Sequence, residues 1–375
     1  LVFNQSHIFN PTAFGTLAAA LILGEPASWW IGDQTLLPLV VIGGLIIAKK
    51  IRRFQLIGSF LAVYLGLSAL GGWAVIEIPL LISPLLFFTL VMLVEPLTSP
   101  PGASRRIYFG ILTSAGLFAV QKFFPLFPSP LEAALLVGNV FARVVNPNFR
   151  QTFTLAKKEQ LAPGIIGFWF VPFHPFSFIP GQFLEYTRPH RRPDARGERR
   201  YFTIASAPTE QQILLVTKFS EQGSTFKQAL KNMETTGEII ASKVDGDFVL
   251  PAGTSDKIVF IAGGIGITPF RGMIKYLLDA GQTRDIILLY GAKAEPDFVF
   301  RDIFEQARRR FGMKIIYTLD VLGQTLIRRE VPDFQERLFY VSGPEPMVEN
   351  MKKLLAGMGV STNRVKCDYF PGYEP

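Results

Sequence analysis

A short run in the second half of the chain combines a cation, an aromatic ring and a hydroxyl group within one predicted strand. Residues 200–206 read Arg-Tyr-Phe-Thr-Ile-Ala-Ser within a β-type segment. A flavin dinucleotide needs a cation at its pyrophosphate, an aromatic or apolar wall against its rings and a hydrogen-bonding group near N5. Arg200, Phe202 and Thr203 supply these groups at strand spacing. An ordinary barrel strand with a solvated arginine would have the same pattern.

Two glycine-containing loops have the composition of phosphate-binding loops. Residues 223–225 read Gly-Ser-Thr and open a helical run, which fits either phosphate binding or a simple helix cap. Residues 262–269 read Ala-Gly-Gly-Ile-Gly-Ile-Thr-Pro and stand between a predicted strand and a predicted helix. That context is the one required of a dinucleotide loop, although the spacing is not Gly-x-Gly-x-x-Gly.

Two later segments stand where a parallel sheet binds ligands or where the chain ends. Residues 340–347, Tyr-Val-Ser-Gly-Pro-Glu-Pro-Met, end a late strand, and ligands of such sheets bind at the carboxyl ends of strands. Residues 368–373, Asp-Tyr-Phe-Pro-Gly-Tyr, are rich in aromatic side chains, which a frayed tail would also allow.

The elements that must position these residues belong to two kinds of sheet. Short β-type runs separated by turns over residues 149–250 predict a small antiparallel barrel. From residue 257 onward strands alternate with helical stretches, which predicts a parallel sheet covered on both faces. The boundary between the two falls near residues 251–255.

The order and spacing of these motifs resemble the ferredoxin–NADP reductase family over residues 149–375. The resemblance implies an oxidoreductase in which the protein aligns the nicotinamide of NAD(P)H with FAD, and in which no catalytic histidine or metal is needed. Residues implied in hydride transfer are Thr203, Thr268 and Ser342. Residues implied in FAD binding are Arg200, Tyr201, Phe202, Thr203, Thr217, Lys218, Gly223, Ser224, Thr225, Tyr369 and Phe370. Residues implied in nucleotide binding are Gly263, Gly264, Gly266, Ile267, Thr268, Pro269, Lys293, Ser342, Gly343, Pro344 and Met347.

Two departures from the family pattern affect these expectations. Many family members have cysteine where Ser342 stands, which puts the efficiency of hydride transfer in doubt. Residues 291–294 lack the arginine often seen there for the 2′-phosphate of NADPH, but Lys293 could replace it. The sequence favours NADH slightly.

The first 146 residues have a different composition. They hold eight Lys/Arg and five Asp/Glu, which is 13 of the 68 charged residues of the chain. Apolar stretches at 11–24, 35–48, 54–73, 78–94, 107–124 and 131–145 predict a helical transmembrane domain of about six segments. Basic loops at residues 49–53 and 105–106 place the reductase on the cytoplasmic side of a bacterial-type inner membrane.

Two loop motifs of this part resemble the membrane subunit shared by sodium-translocating NADH:quinone reductases and Rnf electron-transport complexes. They are His-Ile-Phe-Asn-Pro-Thr-Ala-Phe-Gly at 7–15 and Glu-Pro-Leu-Thr-Ser-Pro-Pro-Gly at 95–102. The resemblance implies a second flavin, FMN or riboflavin, and a quinone or partner subunits as acceptor. The family attaches FMN to threonine in a Ser-x-Ala-Thr element, which this sequence lacks.

The sequence therefore predicts a multi-domain protein in which electrons pass from NAD(P)H through FAD to a membrane acceptor. The domains are 1–146, N-terminally incomplete and in the bilayer, then the FAD barrel at 147–252 and the α/β nucleotide domain at 253–375. Residues 11–145 contain no histidine, which argues against a membrane haem with paired histidine ligands. Redox-driven Na⁺/H⁺ transport through Glu77, Glu95 or Glu132 and an anchored reductase of a soluble electron-transfer protein remain alternatives. A nucleic-acid partner is not predicted.

Overall fold

The structure is a computed structural model that describes residues 2–3, 6–25, 35–51, 53–72, 84–96, 98–100, 102–145, 150–219 and 223–370. The chain divides into two compact units, Leu1–Phe149 and Arg150–Pro375. The two predicted boundaries between the three domains remain predictions.

The described part of the first unit is mainly helical. A short antiparallel pair, β1 (Val2–Phe3) and β2 (Ser6–His7), precedes the helices. The helices are α1 (Pro11–Leu23), α2 (Leu37–Lys50), α3 (Phe54–Leu70), α4 (Pro84–Phe87), α5 (Ala103–Phe123) and α6 (Pro130–Val145). A π-helical turn, Phe88–Met92, continues α4, and its Phe88 packs against Phe60 of α3 in the core.

These helices correct the prediction of a transmembrane domain. Among the described residues, none of the helices is both long enough and apolar enough to cross a bilayer. The helices α1, α2, α3 and α6 have 13, 14, 17 and 16 residues, whereas a span needs about 20. The helix α5 has 21 residues but contains Arg105, Arg106 and Lys122. The predicted transmembrane bundle and the integral membrane localisation are therefore wrong. Part of the stretch at 78–94, with Glu77, lies outside the described residues.

The second unit begins with a six-stranded antiparallel sheet. Its strands are β3 (Gln151–Ala162), β4 (Ile165–Pro172), β5 (Phe183–Thr187), β6 (Arg199–Thr203), β7 (Ile213–Lys218) and β8 (Glu238–Asp245). The strand order is β6-β5-β8-β3-β4-β7. Beyond β6 the Ala205 N–H donates to the Leu214 carbonyl at 2.8 Å, which joins the two edges of the sheet. The helix α7 (Thr225–Lys231) follows β7.

A five-stranded parallel sheet forms the rest of the unit. Its strands are β9 (Ile258–Gly263), β10 (Ile286–Gly291), β11 (Lys314–Thr318), β12 (Leu338–Pro344) and β13 (Val365–Phe370), in the order β11-β10-β9-β12-β13. The helices between them are α8 (Thr268–Asp279), α9 (Arg301–Phe311), α10 (Gln324–Glu330) and α11 (Glu345–Gly357). Every residue of β9 is buried, as expected for a central strand covered on both faces.

The segment that connects the two sheets accepts hydrogen bonds from side chains of the parallel-sheet part. The hydroxyl of Tyr340 and the ammonium of Lys366 both donate to the Val249 carbonyl, at 2.8 and 2.9 Å. Burial lowers the pKa of Lys366. Arg284 donates to the Pro251 carbonyl at 3.0 Å. The segment after the antiparallel sheet is therefore fixed to the parallel sheet before β9 begins.

Candidate functional site

Arg200 is buried on β6 and holds a carboxylate from the preceding loop. Its Nη2 donates to both oxygens of Asp194, at 2.6 and 2.8 Å, while its Nη1 donates to three carbonyls of the segment 196–199. The Thr225 N–H donates to the same carboxylate at 3.2 Å. Burial raises the pKa of Asp194, but the bonds from Arg200 and backbone N–H groups outweigh this and leave its pKa below the ordinary 3.8. The donors around Arg200 therefore converge on one anion.

Aromatic rings surround this cation. The Phe202 ring lies 5.9 Å from the Phe226 ring, and the Arg200 guanidinium lies 5.5 Å from the same ring. Beside them His190 contacts the Arg188 carbonyl through Nδ1 at 2.8 Å and the Thr225 hydroxyl through Nε2 at 2.9 Å. A carbonyl only accepts, so in neutral His190 Nδ1 carries the proton and Nε2 accepts from Thr225. Three predicted FAD ligands are thus neighbours.

The other predicted FAD residues are less closely grouped. Ser224 is buried and caps α7, accepting from the Lys227 N–H at 3.3 Å, and Gly223 precedes it. Tyr201 faces away from Arg200 and donates to Glu185 at 2.5 Å. Burial and this carboxylate raise the pKa of the Tyr201 phenol. On β7, Thr217 is buried, whereas Lys218 pairs with Asp297 at 2.9 Å.

The predicted dinucleotide loop follows β9. Gly263 ends the strand, Gly264–Ile267 forms a 3₁₀ turn, and α8 begins with Thr268 and Pro269. Gly264 has a φ of +53° and open space where a side chain would be, so among the three glycines of this loop it is the one that a ligand can approach closely. A side chain at Gly266 would instead overlap the Ser342 carbonyl.

The ends of β9 and β12 meet at this loop. Ser342 pairs with Ala262 of β9 and with Asp368 of β13, and Met347 Sδ lies where a Gly263 side chain would be. Ser342 Oγ is fully buried and has no hydrogen-bond partner among the described residues. Gly343 and Pro344 end β12. Lys293 is exposed after β10.

Strand β6, which carries predicted FAD residues and is called the FAD strand below, ends close to β13 of the parallel sheet. Thr203, the last residue of β6, has its hydroxyl oxygen 3.5 Å from Oδ2 of Asp368 on β13. Tyr369 follows and is partly exposed; the Phe370 side chain and residues 371–373 lie outside the described residues. Asp368 therefore lies between Thr203 of the antiparallel sheet, which its side chain contacts, and Ser342 beside the nucleotide loop, with which it pairs in the parallel sheet.

Sequence reasoning missed two carboxylates of this site. Asp368 belongs to the aromatic motif at 368–373, but its proximity to Thr203 depends on the pairing of β13, which the sequence does not reveal. Asp194 stands in the segment Arg-Pro-His-Arg-Arg-Pro-Asp-Ala-Arg at 188–196. An acidic residue within such a basic run indicates a local ion pair, and this signal is present in the sequence.

The two loop motifs of the first unit also meet in the structure. Asn10 caps α1 by accepting from the Ala13 N–H and donates to Glu95 at 2.7 Å. Asn139 of α6 accepts from the Asn10 N–H at 2.8 Å and donates to the Thr98 carbonyl at 3.1 Å. These bonds link three segments of the helical unit. Glu95 is engaged in them, and Glu132 is buried in α6.

The cofactors fit the donors that the chain provides. The Arg200 Nε–H is buried without a partner among the described residues, and Ser342 Oγ is in the same situation. Orphaned buried donors of this kind are uncommon in proteins unless a ligand or water satisfies them. A cation for a pyrophosphate, a hydroxyl beside the nucleotide loop and an open glycine suit FAD and a nicotinamide nucleotide.

Comparison with known proteins agrees with this assignment. Residues 260–353 match the oxidoreductase NAD-binding domain family. The chain is 29% identical over 216 residues to the reductase subunit of stachydrine N-demethylase from Rhizobium meliloti, covering 53% of this chain and 60% of that protein. It is 27% identical over 215 residues to the reductase subunit of glycine betaine monooxygenase from Pseudomonas aeruginosa, covering 53% and 58%. The chain thus spans about three-fifths of the length of these curated relatives.

Solved structures share the fold. The FAD/NAD-binding domain of nitric oxide dioxygenase from Vibrio cholerae superposes with a TM-score of 0.52 at 19% identity, covering 60% of this chain and 100% of that chain. Ferredoxin-NADP⁺ reductase from Plasmodium falciparum gives 0.51 at 16% identity, covering 59% and 96%. None of these findings supports the resemblance of the motifs at 7–15 and 95–102 to a membrane subunit, nor a bilayer, a quinone or a second flavin. The second unit therefore has the fold of these FAD/NAD-binding structures, and the similarities support an NAD(P)H-dependent FAD oxidoreductase.

Proposed function

We propose that this chain is the reductase component of a two-part electron-transfer system. It would take a hydride from NAD(P)H and pass electrons to a redox centre on a separate protein. The supporting observation is the contact at 3.5 Å between Thr203 of the FAD strand and Asp368 beside Ser342. It brings the two predicted cofactor sites to one edge, which hydride transfer requires.

The residues of the chain divide the work between binding and alignment. Arg200 and the Thr225 N–H would hold the FAD pyrophosphate, because they already converge on an anion. Gly264 would allow the nicotinamide nucleotide to approach the backbone, and Thr203 and Ser342 would fix the two reacting rings. FAD, when bound, supplies the chemistry that accepts a hydride and releases electrons one at a time.

A protein acceptor is favoured over a membrane acceptor. Relatives of the module are named as the reductase subunit of an N-demethylase and as reductase subunits or components of monooxygenases, and we take such a subunit to deliver electrons to another protein. The same module without its partner would reduce artificial acceptors. We propose NADH as the preferred donor, because residues 291–294 lack an arginine for the 2′-phosphate of NADPH.

The test is anaerobic reduction of the purified, FAD-loaded full chain by NADH and by NADPH, followed by oxidation with an iron–sulfur ferredoxin or with a soluble quinone. We expect bleaching of flavin absorbance by NADH and faster oxidation by the ferredoxin. The variant Arg200→Met should lose FAD affinity about 10-fold or more, whereas the adjacent, exposed Arg199→Met should retain it. A chain that binds no FAD, or whose flavin neither nucleotide reduces, would contradict the proposal, and preference for the quinone would contradict its acceptor.

A further inference from the structure

Arg271, on α8, connects the FAD strand to the nucleotide loop. It lies three residues after Thr268 and is almost fully buried. Its Nη1 donates to the Ala205 carbonyl at 3.2 Å, and Ala205 lies two residues beyond Thr203. Arg271 lies in the first turn of α8, which follows the nucleotide loop. Its side chain therefore links that helix to the segment that follows β6.

A carboxylate fixes the guanidinium in this position. Glu210, in the turn between β6 and β7, accepts from both terminal nitrogens of Arg271, with Nη2 to Oε1 at 2.9 Å. Glu210 itself accepts from the Ala207 N–H at 2.7 Å, which holds the carboxylate in the turn. A bidentate pair of this kind restricts orientation as well as distance.

Two aromatic rings lie near the Arg271 guanidinium, one from the antiparallel sheet and one from a loop between strands of the parallel sheet. The guanidinium carbon lies 5.5 Å from the centre of the Trp169 ring on β4 and 5.6 Å from that of Phe300 before α9. Phe300 has a φ of +65°, a left-handed conformation that is unfavourable for a residue other than glycine. The strained residue is placed where its ring contacts Arg271.

We infer that Arg271 is a positioning residue for hydride transfer, one that sets the distance between the nicotinamide site at Thr268 and the flavin site at Thr203. This inference rests on the proposed function. Among the described residues, the hydrogen-bond partners of Arg271 are not residues assigned to either cofactor. Arg271 therefore acts through α8 and the turn after β6. A displacement of about 1 Å between reacting groups can cost on the order of 100-fold in rate.

The matched control is Arg337, which is equally buried but precedes the amino end of β12, whereas Ser342 lies near the carboxyl end of that strand. It pairs bidentately with Asp285, at 2.7 and 3.2 Å, and with Asp333, just before β12 begins. Lysine retains the charge in either position but not the planar fork. Arg271→Lys and Arg337→Lys should therefore lower the melting temperature comparably while differing in chemistry.

The experiment uses the FAD-loaded full chain and three measurements. Stopped-flow reduction by NADH should slow about 10-fold to 100-fold in Arg271→Lys and stay within twofold in Arg337→Lys. Affinity for ADP-ribose, which lacks nicotinamide, should be unchanged in both. The change that NAD⁺ binding causes in the flavin absorption spectrum should shrink only in Arg271→Lys.

The outcomes separate this inference from the proposed function. Normal reduction of Arg271→Lys, or an equal loss in Arg337→Lys, would overturn the inference and leave the proposed function intact. A wild-type chain that neither nucleotide reduces would overturn both. If Arg271→Lys does not fold, Glu210→Gln retains the volume and one acceptor oxygen and should slow reduction in the same direction; normal reduction and a normal spectral change there would overturn the inference.

Discussion

The hydroxyl of Thr203 and the carboxylate of Asp368 lie 3.5 Å apart, and they come from different sheets. Thr203 ends β6 at the edge of the antiparallel sheet, and Asp368 is on β13 at the edge of the parallel one. A negative charge therefore stands beside the residue that the family resemblance places near flavin N5. This relationship has an electrostatic consequence for the flavin.

Replacing Asp368 with asparagine should make the flavin easier to reduce. Removing a negative charge from the vicinity of a group that gains electrons favours the reduced state. We expect Asp368→Asn to raise the midpoint potential by ~30 mV, or about 1.4 kcal/mol for two electrons. A dye-equilibrated spectroscopic titration measures it, with the partly exposed Glu349→Gln as control. An unchanged potential in Asp368→Asn would place the flavin away from this carboxylate.

Ser342 should matter for the nucleotide and not for the fold. Its buried hydroxyl has no partner among the described residues, so Ser342→Ala should not lower the melting temperature. Affinity for the nicotinamide nucleotide should fall by about 1 kcal/mol, roughly fivefold. Ser206 is the matched control because it is equally buried and accepts from the Leu214 N–H at 3.0 Å. Ser206→Ala should lower the melting temperature and leave nucleotide affinity unchanged. A lower melting temperature with unchanged nucleotide affinity in Ser342→Ala would contradict the role of Ser342 in nucleotide binding.

The sequence predicted local chemistry better than it predicted distant contacts. Strand β9, the 3₁₀ turn at Gly264 and the start of α8 at Thr268 follow from residues that are neighbours in the chain. The Asp194–Arg200 pair depends on how a loop closes. The Thr203–Asp368 contact depends on which strand forms the edge of the parallel sheet. Apolar composition indicated membrane segments but did not reveal where helices end, and α1 stops at the left-handed Gly24 after 13 residues.

Acid should weaken the second unit through Asp333. The hydrogen bond from Arg337 is the main cause that lowers the pKa of Asp333 below its ordinary 3.8. A carboxyl with a depressed folded-state pKa stabilises the fold above pH 3.8, and this contribution is lost as the pH falls through the folded pKa. Asp333→Asn should cost about 1 kcal/mol at pH 7 and progressively less below pH 4. Urea unfolding at pH 7, 4 and 3 checks this, and a pH-independent difference between variant and wild type would contradict it.

Asp194 should compete with FAD for Arg200. Its carboxylate accepts two hydrogen bonds from the guanidinium and one from the Thr225 N–H, which are the donors proposed for the pyrophosphate. An amide binds a guanidinium less strongly than a carboxylate does. Asp194→Asn should therefore lower the Kd of FAD by about 10-fold, or 1.4 kcal/mol, measured by quenching of flavin fluorescence as apoprotein is titrated. The exposed Asp320→Asn should leave the Kd unchanged. Weaker FAD binding in Asp194→Asn would show instead that the carboxylate orients Arg200 for the cofactor.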